Sequence, residues 1–211
     1  MANMKHQIGW TFAAALAGVI LAGGFQAAPP KFGVVDISTV IEKSNLGKKN
    51  QEEFAALKKR REDLLKFIDD NRVLTNEQAQ RLRELTVKPT LSPEETAEME
   101  RIKADVVASS KRAVELSSKP NITPEERTLM QEYADRSANM ERVAQLYLRE
   151  FTDEMQRWAD KAKAESLEKA RKAVQGVAKA QGFTVVFEIG VAPYGANDLT
   201  EPALQAMNAT P

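Results

Sequence analysis

The sequence predicts a mainly α protein with a small β body, in which a long antiparallel helical hairpin projects as an arm from a sheet built of the chain's terminal strands. Three observations carry this. Segments with β character occur only towards the two ends, at Lys31–Val35 and Phe183–Tyr194. Everything between them repeats its apolar residues at helical spacing. Aromatic residues make up only 6% of the 211 residues while charged residues make up 28%, a balance that suits long helices burying a narrow seam. A sheet made from both ends of a chain must bring those ends together, so the helices between them must leave and return.

The chain opens with an export signal. Lys5 and His6 precede the uncharged apolar run Ile8–Leu21, and Ala22-Gly23-Gly24 supplies small residues for cleavage after Gly24. Phe25-Gln26-Ala27 is a poorer cleavage site. The rival reading is an uncleaved anchor, for which the run is short against the ~20 residues of a membrane span. Residues 1–28 are therefore assigned to targeting, 29–47 and 182–211 to the β-containing body, and 48–181 to the helical arm.

Pro29-Pro30 block a helix before the strand KFGVV. Asp36 and Ser38 are cap residues for a short helix beginning near Thr39. Asn45 and Gly47 predict a bend, and from Lys48 the helical period resumes. Phe54, Leu57, Leu64, Leu65 and Ile68 share one face, which Arg61 interrupts.

The middle of the arm, residues 75–124, contains a repeat. Lys88-Pro89-Thr90-Leu91-Ser92-Pro93-Glu94-Glu95 recurs 31 residues later as Lys119-Pro120-Asn121-Ile122-Thr123-Pro124-Glu125-Glu126. In each copy Lys-Pro ends a helix. Ser92 or Thr123 caps the next one, proline takes its first position, and Glu95 or Glu126 stands where a capping box needs it. Leu91 and Ile122 are placed as hydrophobic staples. Thr75 heads a weaker echo. Pro124 to about Ala180 then reads as one helix, roughly 50 residues or more and ~75 Å long. Its seam runs through Met130, Tyr133, Met140, Ala144, Tyr147 and Phe151 and shifts phase at Met155, Trp158 and Ala162. So long a helix needs a partner, and Lys48–Asn71 is the antiparallel candidate. Gly182 stops it. Phe183–Ile189 reads as a strand, Gly190 as a turn, Val191–Tyr194 as the return strand, and Thr200 as the cap of a last short helix.

The two ends resemble the OmpH/Skp family. The stretch FGVVDISTVIEKSNLGKKNQEEFAALKKR, Phe32–Arg60, is similar to the family's opening strand, Val-Asp, short helix and Gly-Lys-Lys entry to the arm. The stretch VAKAQGFTVVFEIGVAPYGANDLTEPALQAMN, Val177–Asn208, is similar to its helix end, Gly-aromatic step, hairpin, Asp-Leu-Thr cap and closing helix. The resemblance implies a homotrimer whose β-containing body gathers three chains and whose arms enclose a cavity. In that cavity unfolded outer-membrane proteins are held in the periplasm without ATP. Two features depart from the family. Lys plus Arg equals Asp plus Glu, 30 each, where members are often strongly basic. Residues 75–124 also elaborate the usual arm.

Chemistry is excluded by inventory. His6, the single histidine, lies in the signal, and there is no cysteine. Serine–histidine, cysteine–histidine and histidine–metal centres are therefore out of reach of the mature chain. Adjacent carboxylates such as Glu94-Glu95 diverge by ~100° on a helix and do not converge as an acid–base pair. Gly47-Lys48-Lys49 fails as a phosphate loop because position 42 is Glu and position 49 is Lys. No cofactor is expected, and the balanced charge gives no field for nucleic acid. Lys58, Lys59, Arg60 and Arg61 form the densest basic run. It reads as a solvated helix face or as a contact for lipopolysaccharide, anionic lipid or acidic client segments. Leu129, Leu146 and Leu148 lie off the seam and, with the flexible side chain of Met140, are the candidate client contacts. The alternative function is an envelope-anchored coiled-coil spacer.

Overall fold

A computed structural model describes residues 29–195 and 197–209; the signal expected in residues 1–28 lies outside them. The elements in order are β1 (Phe32–Val35), α1 (Ile37–Lys43), α2 (Asn45–Asp70), α3 (Asn76–Val87), α4 (Pro93–Ser118), α5 (Pro124–Ala180), β2 (Val185–Glu188) and α6 (Thr200–Ala209). The protein is mainly helical with one small two-stranded sheet.

The sheet joins the chain ends, and it does so in parallel. Phe32 pairs with Val185 and Val35 with Glu188. The expected return strand at Val191–Tyr194 does not form. The chain turns back on itself there, with the amides of Val191 and Ala192 donating to the Glu188 carbonyl. Pro193, which has no amide hydrogen to donate, disfavours a ladder at this point. The second neighbour of β1 is a single bridge from Val34 to Asp198.

Caps stitch the body together. Asp36 Oδ1 accepts from the Thr39 amide at 2.8 Å and so starts α1 two residues earlier than expected, with Ser38 inside the helix. The same contacts with Thr39 hold the Asp36 carboxyl below its ordinary value. Thr200 does not cap its own helix. Its hydroxyl accepts from the Asp36 amide at 2.9 Å, while Asp198 Oδ1 accepts from the Thr200 amide. Asn208 Oδ1 accepts from the Asn45 amide at 2.8 Å. Val35, Val40, Ala170, Val174, Ala203 and Met207 fill the small core beneath.

The break between α1 and α2 falls at Ser44, whose hydroxyl accepts from the Gly47 amide at 2.9 Å. Gly47 is thus inside the first turn of α2 and not at a bend. Its glycine identity has a packing cause: a Cβ there would sit 2.0 Å from the Ile41 carbonyl oxygen. Gly182, at φ +72°, takes the left-handed conformation that ends α5.

α2 and α5 run antiparallel. Asn50 meets Ser166, Phe54 meets Trp158 and Arg61 meets Glu154. α5, at 57 residues and ~85 Å, is longer than α2 by far. The difference is filled by α3 and α4. α3 folds back along α2 until its end meets Arg60, and α4 runs out again, tied to α3 by Arg81 and Glu98. Four helices therefore share a core of Leu64, Ile68, Leu82, Val106, Met140 and Phe151. Past the turn at 71–75, only α4 and the start of α5 continue.

The next three helix starts, those of α3, α4 and α5, carry complete capping boxes, at Thr75, Ser92 and Thr123. The staples expected beside two of them do not form, because the fourth helical positions carry Thr96 and Arg127. Leu91 instead lines a recess with Leu64, Phe67 and Met99.

Candidate functional site

The long helices leave an open recess of about 320 Å³ between α2 and α5. Phe54 and Leu65 of α2 and Leu148, Phe151 and Met155 of α5 make its apolar wall. The spacing explains the wall. Leu148, Phe151 and Met155 recur at three and four residues on α5 and so share a face. α3 covers another side of the same helix pair, where Tyr147 and Phe151 are buried.

The basic run Lys58–Arg61 does not stay together. Arg61 is only 7% exposed. Its Nη2 donates to Glu154 Oε2 at 3.1 Å and its guanidinium lies over the Phe151 ring. Arg83 of α3 reaches the same Glu154 at 3.0 Å and Glu150 at 2.8 Å, so two arginines and two glutamates fasten α2, α3 and α5 together. Arg60 donates to the carbonyls of Lys88 at 2.7 Å and Pro89 at 3.1 Å and thereby satisfies the end of α3. Lys58 and Lys59 remain outward, each in an exposed pair one turn along, with Glu62 and Asp63. The four residues expected to form one anionic-surface contact therefore do not share a face: the helix period sends adjacent residues in different directions, and Arg60 and Arg61 carry structural bonds. Lys58 and Leu148 both line the α2–α5 recess.

The apolar candidates also divide. Met140 is 1% exposed and belongs to the four-helix core, so it is corrected from a contact residue to a packing residue. It occupies the seam, where the heptad pattern already put it. Leu129 is half-buried, and Leu146 and Leu148 are 44% and 55% exposed. Sequence reasoning missed Val107 and Val114 on α4, both exposed. Their seven-residue separation puts them on one face and was a usable signal. It also missed a larger apolar recess on the body, lined by Phe32, Phe187, Pro193 and Tyr194.

Carboxylates are committed to local structure. Glu95 and Glu126 close their capping boxes, and salt contacts to Lys88 and Lys119 hold their carboxyls below the ordinary value. Burial pushes the Tyr147 phenol up. Among the described residues no cluster of His, Cys, Asp or Glu is arranged to hold a metal ion, and no helix is long and apolar enough to cross a membrane.

Compared with known families, residues 31–207 match the one described as outer membrane protein, OmpH-like. The chain belongs to the OmpH-like family. The match runs from β1 to α6, so the elaborated segment between α2 and α5 lies within its bounds. No curated protein and no solved structure matches the chain.

Proposed function

We propose that this OmpH-like protein is an ATP-independent periplasmic holdase that keeps unfolded outer-membrane proteins from aggregating. The observation that carries this reading is the distribution of exposed apolar side chains. Val107, Val114, Leu146 and Leu148 are spread along two helices instead of being gathered in one site, and those helices are fixed by capped turns and a four-helix core. Such a surface offers many weak contacts to an unfolded chain, and repetition over several copies converts weak contacts into avidity.

The rest of the reading follows the same logic. Residues 1–28 direct export. Residues 29–47 and 182–211 form the body, and the arm spans 48–181. The exposed Phe32, Phe187, Val191 and Tyr194 on the body support a homotrimer assembled there, because contiguous exposed apolar surface marks an interface. Contact with lipopolysaccharide or anionic lipid falls to Lys58 and Lys59.

The test dilutes a urea-unfolded β-barrel protein into buffer with the mature chain and no nucleotide, and follows turbidity. Suppression of turbidity at equimolar trimer is expected. Exchanging Leu129, Leu146 and Leu148 together for Ser should weaken it strongly, with helix content and oligomer size unchanged by circular dichroism and light scattering. Full protection by that variant, or none by the wild type, would sink the reading.

A further inference from the structure

The α2–α5 recess differs from the scattered contacts around it in one respect. Its apolar wall has an exposed cation, Lys58, beside it. Arg61 is 7% exposed, and its two terminal nitrogens are engaged with the Leu57 carbonyl and Glu154. Its Nε–H has no acceptor. The same holds for the Nε–H groups of Arg60 and Arg83, so the cation that can receive a ligand must be an exposed one. At the mouth stands Lys58, 57% exposed, whose ammonium is 3.7 Å from Glu62. A pair that long and that open to water binds weakly, which leaves the ammonium free to exchange partners. Glu62 is the acidic group on the rim, and Glu154 behind the wall is already shared by Arg61 and Arg83.

Phe54, Leu65, Leu148 and Met155 give the apolar part of the recess. At about 320 Å³ it lies at the small end of ligand pockets, which span ~300–1,000 Å³. It takes one large side chain, and Met155 and Phe54 suit an aromatic ring.

We propose that the α2–α5 recess is a discrete subsite for an extended, unfolded segment carrying an aromatic residue next to an acidic one. The ring enters between Leu148 and Phe54, and the carboxylate is received by Lys58 at the mouth. This rests on the holdase reading and adds to it a chemical preference within the client chain.

Trp158 reports on the site, because its ring lies 5.7 Å from that of Phe54. In the mature chain, cleaved after Gly24, it is the single indole. Two short acetylated and amidated peptides, identical except for Phe-Glu against Phe-Gln, are titrated while Trp158 emission is followed. The Phe-Glu peptide is expected to saturate the change and to bind about fivefold more tightly, the scale of one partly exposed charge pair. Lys58→Gln should abolish the difference between the peptides, and Leu148→Gln should weaken both. Equal affinities for the two peptides overturn the subsite, as does a preference that survives Lys58→Gln. The turbidity assay separates the two readings. Equal peptide affinities with intact protection remove the subsite alone, and a charge-dependent peptide site without protection removes the holdase alone.

Discussion

The two copies of the repeated turn have the same local chemistry and different surroundings. In both, a lysine at the end of one helix pairs with the capping-box glutamate of the next, Lys88 with Glu95 and Lys119 with Glu126. The likeness extends back into the preceding helices. Arg81, Glu84 and Leu85 correspond to Arg112, Glu115 and Leu116, both arginines pair with the glutamate three residues on, and both leucines are buried. The first copy sits where α3 and α4 pack on α2, with the Arg60 guanidinium closing its carbonyls. The second lies at the far end of α4 and α5, beyond α2 and α3. A turn of this kind therefore forms from its own residues, and what it supports depends on what it packs against.

The strongest way to separate the copies is through their leucines. Leu85→Ala and Leu116→Ala each remove a side chain that is 1% exposed, a change that costs about 3 kcal/mol. Leu85 lines the α2–α3–α4 recess with Leu64 and Leu82, so its loss should lower the thermal midpoint of the whole chain. Leu116→Ala should leave the midpoint nearly unmoved and speed amide exchange only near residues 112–130, because the tip can open by itself. Equal midpoint shifts would show that tip and four-helix core unfold as one unit.

The caps come next. Ser92→Ala and Thr123→Ala should each cost about 1 kcal/mol. The loss should appear as faster exchange at residues 94–98 and 125–129 respectively, with the Ser92 change felt further along the chain. Unchanged exchange at either site would mean that its cap contributes nothing.

Acid should then act on both copies alike. Glu95 and Glu126 both have carboxyls lowered from the ordinary 4.5, by Lys88 and Lys119 first and by the cap amides second. A lowered carboxyl contributes stability that is complete above its unfolded value and lost as pH falls through the folded value. Exchange protection at both turns should therefore be flat above pH 4.5 and decline below it, in parallel. Decline in only one copy would show that the two ion pairs differ in strength in solution.

What the sequence disclosed follows from the range of the forces involved. Capping boxes at Ser92 and Thr123, the helix from Pro124 to Ala180 and the pairing of α2 with α5 were all readable, because caps act over four residues and a heptad seam is written along one helix. The misses are places where distant groups decide. Gly47 is glycine because Ile41 presses on it from the preceding helix. Arg61 interrupts an apolar face because Glu154, 93 residues away, and the Phe151 ring receive it. Val191–Tyr194 has strand-like residues, but β1 takes Asp198 beside it instead. The recess between α2 and α5 was half visible. Leu148 and Lys58 were singled out separately, and only the helix register places them at one recess.

The smallest effect is the most informative about why the copies diverged. In the first copy Arg81 makes a two-pronged contact with Glu98, at 2.9 and 2.7 Å. The equivalent position in the second copy is Leu129. Arg112 consequently turns to Glu126 at 3.2 Å and shares it with Lys119. Leu129→Glu restores the missing carboxylate, and on this exposed stretch the new pair should add about 0.5 kcal/mol, read as slower exchange between residues 112 and 130. The same change removes an apolar side chain from the end of the arm. If Leu129 serves clients, turbidity suppression should fall modestly while the turn becomes firmer, so that stability and holding move in opposite directions. Firmer exchange with unchanged suppression would assign Leu129 to neutral drift between copies and leave Leu146 and Leu148 as the client contacts on α5.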